Sequence, residues 1–493
     1  MDQKETNQKE STQEPEDNLV VTKHSIVLNG ETINYTATAG TIVMKEEVQE
    51  DDKLTGEKAK ATIFFIAYAR DDVEDKSQRP LTFSFNGGPG SSSVWLHLGM
   101  LGPRRVYLEE DGSAPPPPYR LVDNEYSLLD VTDLVFIDPV STGYSRAVSG
   151  EKPKEFHNYK KDIESVGDFI RLYTTRYQRW TSPKFLIGES YGTTRAAGLS
   201  GYLQENQGMY LNGLMLISSI LNFQTARFVT GNDLPFILFL PTYAATAWYH
   251  KRLSEELQAD LNNTLAEVKE FAMGEYTLAL MKGAALPADE RTTIVEKLAR
   301  YTGLSEAYIE QTNLRVNIYR FVKELLRDQR RTVGRLDSRY TGIDRDAAGE
   351  MVEFDPSHAV TFGPFAATLN DYVRGELEFQ SDTPYRVLAN LWQDWGYKEQ
   401  QNQYLDVSET MRKAMSMNPN LKVFVANGYY DLATPYMATE YTFDHLELDP
   451  ELQGNISLAY YEAGHMMYNH RPSLAKLKDE LVAFLASAMP GEK

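Results

Sequence analysis

Three side chains in this sequence have the types and settings needed for nucleophilic acyl transfer: an alcohol, an imidazole and a carboxylate. The alcohol is Ser190, within Gly188-Glu189-Ser190-Tyr191-Gly192. The apolar run Phe185, Leu186, Ile187 precedes it, and residues 193–204 read as a helix with small residues at Ala196, Ala197 and Gly198. Strand, Gly-x-Ser-x-Gly and helix together make a nucleophile elbow. The serine sits on a strained turn with its hydroxyl pointing out, and a Cβ at either flanking glycine would collide with the neighbouring strand or helix. His465 is the candidate base and Asp431 the acid that orients it. Each follows a short apolar strand, Leu421 to Ala426 for Asp431 and Ile456 to Tyr460 for His465. The chain has eight histidines. The close rivals, His445 and His470, do not directly follow a strand.

The elements that must bring these groups together are legible as strands alternating with helices. Ile26 and Leu28, then Ile33 and Tyr35, alternate with polar residues around Asn29-Gly30, which predicts a hairpin with a tight turn. Residues 62–69, 81–85, 133–137 and 214–217 are further strands. Ile163, Val166, Ile170 and Tyr173 recur at helical spacing and predict an amphipathic helix over residues 158–177. This alternation implies a mostly parallel sheet covered by helices on both faces. In such a sheet the loops after the strands share one edge. The order Ser190, Asp431, His465 is that of an α/β-hydrolase.

The strand 81–85 runs into Asn86-Gly87-Gly88-Pro89-Gly90. A glycine-rich loop after a strand could cradle phosphate, but the Gly-Lys-Ser/Thr ending of a P-loop is missing. A plain tight turn is the other simple reading. The position upstream of an elbow favours an oxyanion hole, where glycines let backbone N–H groups approach developing negative charge.

Asn86-Gly87-Gly88-Pro89-Gly90-Ser91-Ser92, Gly188-Glu189-Ser190-Tyr191-Gly192, Gly428 to Asp431 and Ala463-Gly464-His465-Met466 together resemble the serine carboxypeptidases of the carboxypeptidase Y and cathepsin A type. The stretch Asp138 to Ser145 resembles that family's loop after a central strand. The likeness runs from about Thr62 to the end, weakly through the helical middle. It implies hydrolysis of peptides from the C-terminus through an acyl-enzyme, with no metal and no cofactor. It implies that Ser190, Asp431 and His465 are catalytic and that the N–H groups of Gly88 and Tyr191 form the oxyanion hole. Asn86, Glu189 and Met466 would contact substrate, the first two at its terminal carboxylate. Two departures stand out. The family's second carboxylate-binding glutamate falls on Met100, and its tryptophan before the asparagine falls on Ser84. Glu189 is therefore expected to lack a carboxyl partner, and an ionised Glu189 would repel the substrate's terminal carboxylate. The family's proline after the histidine segment is Tyr468. Its disulfides are absent.

Composition bounds the alternatives. The 493 residues carry 50 basic and 70 acidic side chains, a formal net charge of −20. That disfavours nucleic acid and anionic membranes, which reward positive patches. With no cysteine, disulfides, thiolate metal sites and a cysteine nucleophile are excluded. The longest apolar run, Leu234 to Ala247, is too short to span a bilayer and is interrupted by Pro241. If Met1 is the native start the protein is expected in the cytoplasm; if an export signal was trimmed, in the periplasm or outside the cell. Residues 1–18 read as a disordered polar tail. Residues 19–223 and 372–493 read as the hydrolase domain, and 224–371 as a helical cap inserted over the site. An esterase or acyltransferase with the same triad, or a non-catalytic binding protein on the same fold, are the competing functions. The intact triad disfavours the last.

Overall fold

The computed structural model describes residues 14–51 and 53–489. Its centre is a sheet whose main path has nine strands: β1 (Asn18–Leu28), β2 (Glu31–Glu50), β3 (Lys53–Arg70), β4 (Leu81–Phe85), β5 (Asp133–Ile137), β6 (Lys184–Ser190), β7 (Gly213–Ser219), β8 (Lys422–Gly428) and β9 (Ile456–Tyr461). The order across the sheet is β1-β2-β3-β5-β4-β6-β7-β8-β9, and a short strand Arg146–Ala147 also pairs with β3. The first four strands in that order are antiparallel neighbours, and from β5 to β9 every pairing is parallel. The expected hairpin is the β1–β2 pair, with Leu28 opposite Glu31. Asn29 and Gly30 both have positive φ, 51° and 81°, as a turn matched to the strand twist requires.

Burial explains why the central strands read as apolar runs and not as alternating ones. β4 and β5 are buried at every residue, because both faces are covered. Phe185, Ile187, Met215 and Ile217 enter one core, which holds helices Pro356–Gly375 and Arg471–Ser487 against the sheet. Leu186, Leu214 and Leu216 enter the opposite core with helices Tyr159–Arg176, Tyr191–Gln207 and Ser408–Met417. The first of these helices starts at Asn158, whose side chain accepts the Lys161 N–H at 2.9 Å.

Helices Leu234–Tyr249, Leu261–Phe271, Ala288–Thr302 and Ile318–Glu324 surround a third core. Tyr430, Leu432 and Tyr436, from the chain after β8, complete it, so the insertion packs directly on the loop that carries Asp431. The boundary expected at residue 371 falls inside helix Pro356–Gly375, whose Phe365, Leu369 and Tyr372 belong to the core of the sheet. The polar tail expected over residues 1–18 differs as well. Residues 1–13 lie outside the described part, but Asp17 accepts the Val43 N–H and pairs with Arg176 at 2.6 Å, and Asn18 opens β1. Among the described residues no helix is long and apolar enough to cross a membrane.

One buried ion pair supports the edge where the site lies. Arg195, only 1% exposed, is held by Asp162 through Nε at 2.9 Å and Nη2 at 3.1 Å. Its Nη1 donates to the Asn86 carbonyl at 2.6 Å. Burial pushes the Asp162 carboxyl up, and the Arg195 charge opposes that shift. Removing one member of a buried pair leaves the other charge uncompensated, at a cost of about 3–5 kcal/mol. Asp162→Ala is therefore expected to lower the urea midpoint by that much stability; a loss under about 1 kcal/mol would show that the pair carries little.

Candidate active site

Ser190 ends β6 and stands just before helix Tyr191–Gln207, with φ 59° and ψ −130°. That is a rare conformation for a residue with a Cβ, and it marks stored backbone strain. The flanking glycines are required by close approach. A Cβ at Gly188 would come within 2.1 Å of the Gly192 carbonyl oxygen, and one at Gly192 within 2.7 Å of the Phe85 oxygen. The elbow read from the sequence is thus present, with the hydroxyl-bearing residue partly exposed and its neighbours buried.

The loops after β8 and β9 bring Asp431 and His465 into contact. His465 Nδ1 lies 2.7 Å from Asp431 Oδ2, and Asp431 is fully buried. Asp431 Oδ1 accepts the N–H groups of Ala433 and Thr434 at 2.7 and 3.0 Å, and Oδ2 accepts the Thr434 hydroxyl at 2.7 Å. With its lone pairs so occupied, the carboxylate has one orientation. Burial works against the imidazolium of His465, but the charge and hydrogen bond of Asp431, with the charge of Glu189, outweigh it and raise its pKa. The hydrogen bonds of the His465 side chain run to Asp431 and Thr434 through Nδ1, and none joins it to the Ser190 hydroxyl.

Sheet order explains how the imidazole reaches the elbow. β7 lies between β6 and β8, and Ser219 pairs with Ser190. The Ser218 hydroxyl donates to the His465 carbonyl at 2.7 Å, so the β9 loop folds back across β8. Three residues further on, the Tyr468 hydroxyl donates to Glu189 Oε2 at 2.5 Å. Glu189 is the residue before Ser190.

The glycine-rich loop lies against the elbow. A Cβ at Gly87 would stand 2.4 Å from the Tyr191 nitrogen, so only glycine lets the two backbones come this close. Gly88 follows with φ 106°. Tyr191 is the first residue of a 17-residue helix, whose N-terminus adds positive potential at its free N–H groups.

Asn86 and Glu189 are both buried and touch, Nδ2 to Oε1 at 3.0 Å. Burial pushes the Glu189 carboxyl up to about 7, against the lowering effects of the His465 charge and the Tyr468 and Asn86 hydrogen bonds. The hydrogen bonds to Glu189 thus come from an amide and a phenol, with no second carboxyl among them. The phenol is brought by the very position where the family's proline is replaced. Met466, beside His465, is buried in the core of the sheet at 9% exposure. Ser84 and Met100 are both buried.

Sequence reasoning missed the chain segment that fixes these loops relative to one another. The Leu432 N–H donates to the Arg335 carbonyl at 3.0 Å, the His465 N–H to Leu336 at 2.6 Å, and the Ser338 N–H to Tyr430 at 3.0 Å. Asp337 Oδ2 accepts the Gly464 N–H at 3.1 Å and is held by Arg339 at 2.7 Å. Residues 335–338 thus stitch the Asp431 loop to the His465 loop. Nothing in their composition signals this, because most of the bonds use main-chain atoms. Thr434, three residues after Asp431, was the one partner that a local turn pattern could have revealed. Among the described residues no cluster of three or more histidine or acidic side chains is placed to hold a metal ion.

The family model described as "Serine carboxypeptidase" matches residues 52–475. The "Lysosomal protective protein" of Mus musculus is 23% identical over 431 residues, 80% of this chain and 77% of that protein. "Serine carboxypeptidase-like 29" of Arabidopsis thaliana is 29% identical over 175 residues, which span only 33% of this chain and 32% of that protein. The crystal structure of a Saccharomyces cerevisiae prohormone-processing carboxypeptidase, Kex1(delta)p, superposes with a TM-score of 0.57 at 16% identity, covering 91% of both chains. That likeness concerns the fold. The elbow, the mixed sheet and the family match over most of the length lead to one statement: the chain has the α/β-hydrolase fold and belongs to the serine carboxypeptidase family.

Proposed function

We propose that this chain removes C-terminal residues from peptides as a serine-type carboxypeptidase, with Ser190, His465 and Asp431 as its triad. The observation that carries the reading is the buried Asp431–His465 contact, folded back beside a strained Ser190 turn. Ser190 Oγ attacks the scissile carbonyl. His465 Nε2 takes its proton while Nδ1–H donates to Asp431, which holds the tautomer. The contact between serine and base tightens when substrate docks, as is common in such sites. The oxyanion of the tetrahedral intermediate accepts the N–H groups of Gly88 and Tyr191, each worth about 3–4 kcal/mol of transition-state stabilisation. The amine leaves with the proton from His465, and water, activated by the same imidazole, releases the acyl group. Asn86 and a protonated Glu189 bind the terminal carboxylate of the peptide.

Mass spectrometry of a digested peptide library tests the class: residues are expected to disappear singly from the C-terminus, and internal cuts alone would refute it. Ser190→Ala is expected to abolish labelling by a fluorophosphonate probe and to reduce kcat by several orders of magnitude. An unlabelled wild-type protein would remove Ser190 from the chemistry. Asp431 raises the His465 pKa, and His465 acts as a base only when neutral. The rate therefore climbs as pH rises through that raised value. Asp431→Asn is expected to move this ascending limb to lower pH while cutting kcat by about 10⁴-fold. An unmoved limb would assign it to another group.

A further inference from the structure

Both oxygens of Glu189 are met by donors whose direction is fixed. Asn86 can present only its Nδ2, because its Oδ1 already accepts the Leu96 N–H at 3.1 Å. Tyr468 is fully buried, and burial with the Glu189 charge keeps its phenol far from ionising, so it donates and does not titrate. Its ring lies over Gly99: a Cβ there would stand 2.5 Å from the Tyr468 Cε2. Gly99 is the residue before Met100, where the family's second carboxyl is missing. The phenol that donates to Glu189 therefore packs its ring against the residue next to position 100, where the resemblance places the family's second carboxyl.

We propose that Tyr468 is the specificity-determining positioning residue for the terminal carboxylate, a fixed donor to Glu189 that sets the pH up to which a peptide with a free C-terminus is accepted. This rests on the reading of Asn86 and Glu189 as the carboxylate-binding pair. Two carboxyls can share a proton and titrate together. A phenol brings no second proton to share near neutrality; it favours the ionised form of Glu189 over the neutral one. Neutral Glu189 can give the substrate carboxylate a hydrogen bond, whereas ionised Glu189 repels it. The surrounding charges are few. Burial raises the group, the His465 charge and the donors Tyr468 and Asn86 lower it, Asp431 raises it, and the balance stands at about 7.

The measurement is the ratio of kcat/KM for a blocked dipeptide to that for its C-terminal amide, followed from acid through neutral pH. The ratio cancels the titration of His465, which both substrates share. In the wild type it is expected to favour the free acid at low pH and to fall through a midpoint near 7. Tyr468→Phe keeps the ring and removes the donor, and is expected to shift that midpoint up by about one pH unit, through KM of the free acid with little change in kcat. Gly99→Ala, which displaces the ring without touching Glu189, is expected to shift it in the same direction. Glu189→Gln is expected to make the ratio independent of pH. If both folded variants keep the wild-type midpoint while Glu189→Gln flattens the ratio, Tyr468 is not the determinant and the Glu189 reading stands. If the wild-type ratio shows no pH dependence, the Glu189 reading itself falls and the proposal with it.

Discussion

The hydrogen bond between His465 Nδ1 and a fully buried Asp431 is the interaction on which the rest depends. A carboxylate taken from water is costly unless every lone pair finds a donor. Here two backbone amides, a threonine hydroxyl and the imidazole supply them. This satisfaction is possible only if the loops after β8 and β9 are held against one another. Most of the architecture around the edge of the sheet can be understood as that restraint: β7 keeping β6 and β8 in register, Ser218 holding the His465 carbonyl, and the inserted helices packing on Tyr430 and Leu432.

Sequence made the parts with local signals legible. Apolar runs located the parallel strands to within a few residues, since a strand buried on both faces needs nothing but apolar side chains; β3, expected over 62–69, begins at Lys53 because its first half is polar and exposed. The Ile163–Val166–Ile170–Tyr173 spacing located a helix because amphipathicity is written in neighbouring residues. The elbow was legible because close backbone approach leaves glycine as the only choice at 188 and 192. Pairings between distant segments were hidden. The segment β2, 20 residues long, gains most of its order from its partners β1 and β3 and lacks a strong pattern in its second half. Helix Pro356–Gly375 reads like the helices before it, and only its packing partners assign it to the sheet.

The substrate side of the site shows the same limit more sharply. Position 100 could be read as a lost carboxyl and position 468 as a lost proline, each from its own motif. That Tyr468 donates to Glu189 while its ring packs on Gly99, next to position 100, is a fact of three-dimensional packing. Polar partners in a buried site are exchanged in sets, because a lone donor or acceptor left behind is expensive. A motif compared position by position registers the lost proline at 468 but not the donor that Tyr468 brings to Glu189.

The stitching segment 335–338 has a consequence for how this chain can vary. Its bonds to Leu432, His465 and Tyr430 use main-chain groups: the carbonyls of 335 and 336, which every residue type has, and the N–H of 338, which every type except proline has. Drift in side-chain identity is therefore easier at 335 and 336 than at the buried Asp337 and Ser338, whose side chains are themselves bonded, while a one-residue insertion or deletion would slide its donors and acceptors out of step with two loops at once. The helices before it are free to diverge in length and surface. The spacing between their exit and the edge of the sheet is not, and it is there that the evolutionary latitude of the insertion ends.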